Sequence, residues 1–87
     1  MRNLEHYVSD FNSWRKIFNN PPVDISNPTD LRRVAARVES DLSPEILTMD
    51  GELPAAAVKE RHQYLIAVAK EIKDLDPSIQ FWEIDHV

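Results

Sequence analysis

Large apolar residues near the start of the chain recur at steps of three and four: Leu4, Tyr7, Val8, Phe11, Trp14, Ile17 and Phe18. At about 100° per residue that spacing collects them on one stripe, and the pattern predicts an amphipathic helix over 4–18. Asn3 stands where an N-cap belongs, and Glu5 in the first turn meets the positive end of the helix dipole. Asn19-Asn20-Pro21-Pro22 stops the element, since a residue before proline is pushed out of the α region.

Pro21 to Pro28 hold three prolines and no helical period, which reads as a connecting loop. Asn27-Pro28-Thr29-Asp30 then supplies a cap, a proline at the first helical position and an acid in the first turn. Leu31, Val34, Ala35, Val38 and Leu42 follow at helical spacing, giving a second helix over 28–40. Its other face carries Arg32, Arg33, Arg37 and Glu39, with Asp30 placed to pair with Arg33. Ser43-Pro44 repeats the cap-then-proline signature before a single helical turn over 44–48.

The third helix is the longest, over 54–75, with Val58, Leu65, Ile66, Val68, Ala69, Ile72 and Leu75 on its apolar face and Asp76-Pro77 as its stop. Ala55, Ala56 and Ala57 at its start add helix propensity with little bulk, leaving room for a close neighbour. After Pro77 the period changes. Ser78 to Ile84 is rich in aromatic and β-branched residues and reads as an extended, strand-like tail over 78–85. In a strand, neighbours point to opposite sides, so one of Phe81 and Trp82 would pack inward and the other face out. The candidate pairing partner inside the chain is Val23-Asp24-Ile25.

These elements amount to an all-α fold: a compact three-helix bundle with a short extra helical turn and an extended C-terminal segment, in one small domain spanning 1–87. Phe11, Trp14, Val34, Val38, Leu65 and Ile72, at the centres of their stripes, are expected to meet in the core.

Composition narrows function mainly by exclusion. The absence of Cys removes disulfides, thiolate metal sites and a cysteine nucleophile. A single glycine, Gly51, removes every glycine-built phosphate cradle. No apolar run approaches the roughly 20 residues that span a bilayer. The first ten residues include Glu5, His6 and Asp10 where a signal peptide is apolar, so the expected location is cytoplasmic, with no membrane partner. The net charge of −5 is concentrated in Asp41, Glu45, Asp50 and Glu52 and in Asp76, Glu83 and Asp85.

Residues able to carry chemistry are scattered. His6, His62 and His86 share no metal-ligand spacing, and His62, between Val58 and Leu65, reads as a histidine at the core edge. The carboxylate pairs Asp74 and Asp76, Asp50 and Glu52, and Asp41 and Glu45 fall at helix ends and loops where water reaches them, whereas acid–base catalysis needs a carboxylate held in a dry pocket. The serines form no nucleophile elbow. No enzyme, metal, cofactor or small-molecule substrate is therefore expected.

Two binding readings remain. Arg32, Arg33 and Arg37 offer a basic face for nucleic acid, but the chain is acidic overall and no aromatic residue neighbours them in sequence, which makes that partner the alternative. The leading expectation is a non-enzymatic protein–protein interaction module, a small acidic regulatory, adaptor or inhibitory protein, with self-association as a variant. Its expected contact residues are Phe81, Trp82 and Ile84 in the tail, Trp being the type most enriched at hot spots, together with Asp50 and Glu52.

Overall fold

A computed structural model of the chain describes residues 2–43 and 54–85. Among them are three long helices, α1 Arg2–Ile17, α2 Pro28–Asp41 and α3 Ala55–Leu75, and a short fourth, α4 Trp82–Asp85. The fold is all-α, with α1 and α2 each packed against α3. The single turn expected over 44–48 lies outside the described residues.

Helix α1 begins at Arg2, so Asn3 is already inside it rather than capping it. Its C-terminal end is closed by the backbone. Asn19 sits at φ 59°, Asn20 N–H donates to Arg15 O at 2.8 Å and Asn19 N–H to Lys16 O at 3.1 Å. This crossed pair of bonds satisfies carbonyls that the helix end would leave orphaned, and asparagine tolerates the left-handed conformation better than most residues. The stop therefore precedes the two prolines.

Helix α2 starts as its sequence signals. Asn27 Oδ1 accepts from the N–H groups of Thr29 and Asp30 at 2.9 and 3.3 Å, with Pro28 in the first turn. Asp30 departs from expectation: its carboxylate accepts the Asp24 N–H at 3.0 Å and ties the incoming loop to the helix, in place of the predicted pairing with Arg33. Helix α3 ends where Asp76 turns to extended backbone ahead of Pro77.

The core is built from Leu4 and Tyr7 of α1, Leu31, Val34, Ala35 and Val38 of α2, Leu65, Val68, Ala69 and Ile72 of α3, and Val23, Leu42 and Phe81 from the connections. Four of the six residues expected at its centre take part fully: Val34, Val38, Leu65 and Ile72. Phe11 packs at its margin, half-buried. Trp14 does not belong to it, being 63% exposed. The small residues that let helices approach closely are Ala35 and Ala69, whereas Ala55 and Ala56 are exposed.

The tail corrects the strand expectation. Pro77 and Ser78 form a turn, closed by the Ile79 N–H donating to Asp76 O at 3.1 Å, and through 78–81 burial alternates, Ile79 and Phe81 covered and Ser78 and Gln80 exposed, but no strand pairs with them among the described residues. Asp76 Oδ1 accepts the Ser78 N–H and hydroxyl at 3.0 and 2.6 Å, turning the chain back over α3. Lys73 Nζ reaches the Ile79 carbonyl at 2.8 Å and the Asp85 carboxylate at 2.9 Å, and Asp85 in turn accepts the Phe81 N–H at 2.7 Å. Side chains thus supply what a neighbouring strand would have supplied. The chain then winds into α4. Val23, the expected pairing partner, has both backbone groups on the side chain of Asn12, at 2.8 and 3.3 Å.

Candidate functional site

The two halves of α1 have different fates although they share one stripe. At its N-terminal end Leu4 is sealed, Tyr7 is buried, and Tyr64 of α3 lies against both Tyr7 and His6, its hydroxyl donating to the Asn3 carbonyl at 3.4 Å. At its C-terminal end Trp14, Ile17 and Phe18 are 63%, 67% and 68% exposed. Aromatic side chains carry about 150–250 Å² each. Trp14 and Phe18 together therefore leave on the order of 200–300 Å² of apolar surface in water, near the size of the largest patch on a typical monomer.

Trp14 and Phe18 border an open groove of about 620 Å³. Phe11 and Tyr7 of α1 line it with them, Arg37 and Asp41 from the end of α2 form another side, and Arg61 and Tyr64 come from α3. One network fixes the floor: Tyr7 donates a buried 2.6 Å hydrogen bond to Asp41 Oδ2, and the exposed Arg37 pairs through Nε with Asp41 Oδ1 at 3.2 Å. Burial, and then the bond to Asp41, push the Tyr7 phenol far above its ordinary value, so it remains a neutral donor. Both carboxylate oxygens of Asp41 are thereby engaged.

The rim is charged. Arg15 lies over the Phe11 ring, 5.8 Å from its centroid, and donates to the Pro21 carbonyl at 2.7 Å. Asp10 faces His6 at 3.5 Å, both exposed. Arg61 makes no ion pair among the described residues. Three arginines against two aspartates, one of them consumed in the floor, make this groove locally basic on a chain of net charge −5.

The residues singled out from sequence are distributed differently. Arg33 and Arg37, about 40° apart on the helix, share a side, but Arg32 is about 140° from Arg37. Arg32 borders a second, shallower groove with Ser78, Ile79 and Gln80. The three arginines do not form one basic face. The aromatic companions missing in sequence do appear in space, because Trp14 and Phe18 share the groove with Arg37.

In the tail, Phe81 is 1% exposed and belongs to the core, while Trp82 is 64% exposed and Ile84 is half-buried against the core. Inward and outward neighbours were expected there, and that pairing holds. The Trp82 N–H donates to Glu39 Oε1 at 3.3 Å, and Glu83 faces His62 at 3.8 Å, placing the histidine at the core edge beside a carboxylate. Asp50 and Glu52 lie outside the described residues. Sequence reading placed Trp14 in the core, with Ile17 and Phe18 on the same apolar stripe, because periodicity reports which side of a helix is apolar, but not how far along it a neighbour reaches.

Among the described residues no three His, Asp or Glu side chains gather as a metal site, and no helix is long and apolar enough to cross a membrane. No family model, curated protein or solved structure matches the chain.

Proposed function

We propose that the chain is a non-enzymatic protein-binding module whose contact surface is the C-terminal end of α1. The supporting observation is the run Trp14, Ile17 and Phe18: large apolar side chains at the C-terminal end of α1, in water beside a groove. Keeping such a surface uncovered favours association and aggregation, and Trp and Phe at a helix end are the side chains from which interface hot spots are made. Catalysis has less support. Asp41, the one acidic residue buried as a whole among the described residues, has both oxygens bound to Tyr7 and Arg37, leaving neither for a substrate proton.

The test is paired affinity capture from the native cell extract with the wild-type chain and with Trp14→Ala/Phe18→Ala, after circular dichroism has shown equal helicity. Proteins retained by the first and lost from the second support the reading. Nuclease-sensitive capture that depends on Arg37 would replace it with the nucleic-acid alternative. A set of retained proteins identical for both chains would remove α1 from the contact surface.

A further inference from the structure

The groove beside α1 carries information about its partner's chemistry, and the inference drawn from it rests on the protein-binding reading above. We infer that the groove accepts an acidic amphipathic segment of another protein, whose apolar side chains pack on Trp14, Phe18 and Phe11 and whose carboxylates meet Arg61 and Arg37.

The charge pattern carries the argument. On a chain of net charge −5, the surface around these aromatics holds three arginines, and two of them have capacity left. Arg61 is exposed with no ion pair among the described residues, and Arg37 keeps a side chain 60% exposed while its Nε holds Asp41. A guanidinium presents five N–H donors in a fork, so Arg37 can hold Asp41 through one edge and a second carboxylate through another. The groove also has a fixed floor, since Tyr7 and Asp41 lock α1 to α2 through a 2.6 Å bond, and a pre-organised wall loses little on binding. An open groove of about 620 Å³ takes a few side chains from one face of a helix, the i, i+3, i+4, i+7 pattern of helix-in-groove recognition.

The same pattern argues against the other occupants. Two copies joined face to face through this surface would set three arginines of one copy against a patch of the same sign, with the exposed Asp10 as the one carboxylate not already held in the floor. A nucleic acid carries a negative charge on every nucleotide and would set phosphates against Asp10, which is exposed on the rim. A peptide can confine its carboxylates to the arginine side.

The experiment uses fluorescence anisotropy with the full chain and three fluorescein-labelled probes. The first is a peptide of about 16 residues with leucine and phenylalanine at helical spacing and glutamate on the flanks. The second has the same apolar pattern with lysine for glutamate, and the third is an oligothymidylate of about 12 nucleotides. The glutamate peptide should bind at least about tenfold tighter than the lysine peptide, and its affinity should weaken with salt. Trp14→Ala should weaken it by about tenfold or more. Arg61→Ala should weaken it several-fold and reduce the salt dependence, while Arg61→Lys restores part of it.

Equal or tighter binding of the lysine peptide overturns the inference. So does tighter binding of the oligothymidylate with competition for the same site, which assigns the groove to nucleic acid, or a Trp14-dependent dimer in sedimentation that excludes the peptide, which assigns it to a second copy. Loss of charge preference here, with Trp14→Ala/Phe18→Ala still losing proteins in the capture experiment, removes the acidic partner alone. Loss in both removes the protein-binding reading as well.

Discussion

The first and second halves of α1 are written in the same code. Leu4, Tyr7 and Phe11 lie on the stripe with Trp14, Ile17 and Phe18, and a projection down the helix axis places them within one sector. Only the first half is covered: Leu4 is sealed in the core, whereas each of the last three leaves more than three-fifths of its surface in water. The difference lies in the neighbours. Tyr64 of α3 packs on the N-terminal half, and past Phe11 the facing surface falls away into the groove walled by Arg37 and Arg61. One continuous apolar pattern thus packs into the core at one end and stands in water at the other.

The tail repeats the contrast at the scale of two residues. Phe81 is in the core and Trp82, next to it, is outside. Here the boundary is set by the polar clamp in which Lys73 and Asp85 hold the backbone of 79–81 against α3, so that the inward positions are fixed and their neighbours are forced out.

If the division is correct, substitutions on its two sides separate sharply. Phe81→Ala should cost the most, about 3–5 kcal/mol in chemical denaturation, because it empties an aromatic site in the core. Trp82→Ala should cost well under that, and equal losses would erase the contrast in the tail. Leu4→Ala should cost about 2–5 kcal/mol, a large share of what a domain of this size possesses. A loss below about half a kcal/mol would show that α1 is not anchored at its N-terminal end. Tyr7→Phe should cost about 1–3 kcal/mol, since it leaves Asp41 Oδ2 buried without its donor.

The smallest effect concerns the turn that returns the tail. The Ser78 hydroxyl, then its N–H, hold the exposed Asp76 carboxyl below the usual carboxylate range, with a lesser contribution from Arg32. A carboxyl depressed in the folded state contributes stability that is present above its unfolded value and lost as pH falls through the folded one. Ser78→Ala should therefore flatten a small part of the acid limb of the stability–pH curve, and an unchanged acid limb would show that the turn is not coupled to folding.

The helices were legible because their signals are local. Asn27-Pro28 names the start of α2, and the buried stripe Leu65, Val68, Ala69 and Ile72 follows from spacing alone. What could not be read depends on residues distant in sequence. Trp14 is apolar and correctly phased, yet its exposure is decided by where α2 and α3 stop covering α1. The pairing of Tyr7 with Asp41 joins positions 34 apart, and neither residue stands out in its own segment. The tail misled for a related reason: β-propensity reports fitness for a half-buried surface, and 78–81 has the alternating burial of such a surface, with side chains in place of a strand partner. The groove's aromatic and basic residues come from three helices, so adjacency in sequence could not assemble them.

The central claim is that the second half of the α1 stripe does not hold the fold together. Its most direct test is urea denaturation of Trp14→Ala/Phe18→Ala, followed by far-ultraviolet circular dichroism so that loss of a tryptophan does not disturb the signal. The small contact area lost by these side chains is offset in part by the higher helix propensity of alanine at Trp14, so the unfolding free energy should change by about 1 kcal/mol or less, with an unchanged slope. A loss of about 3 kcal/mol or more would place Trp14 and Phe18 in the core and contradict the account.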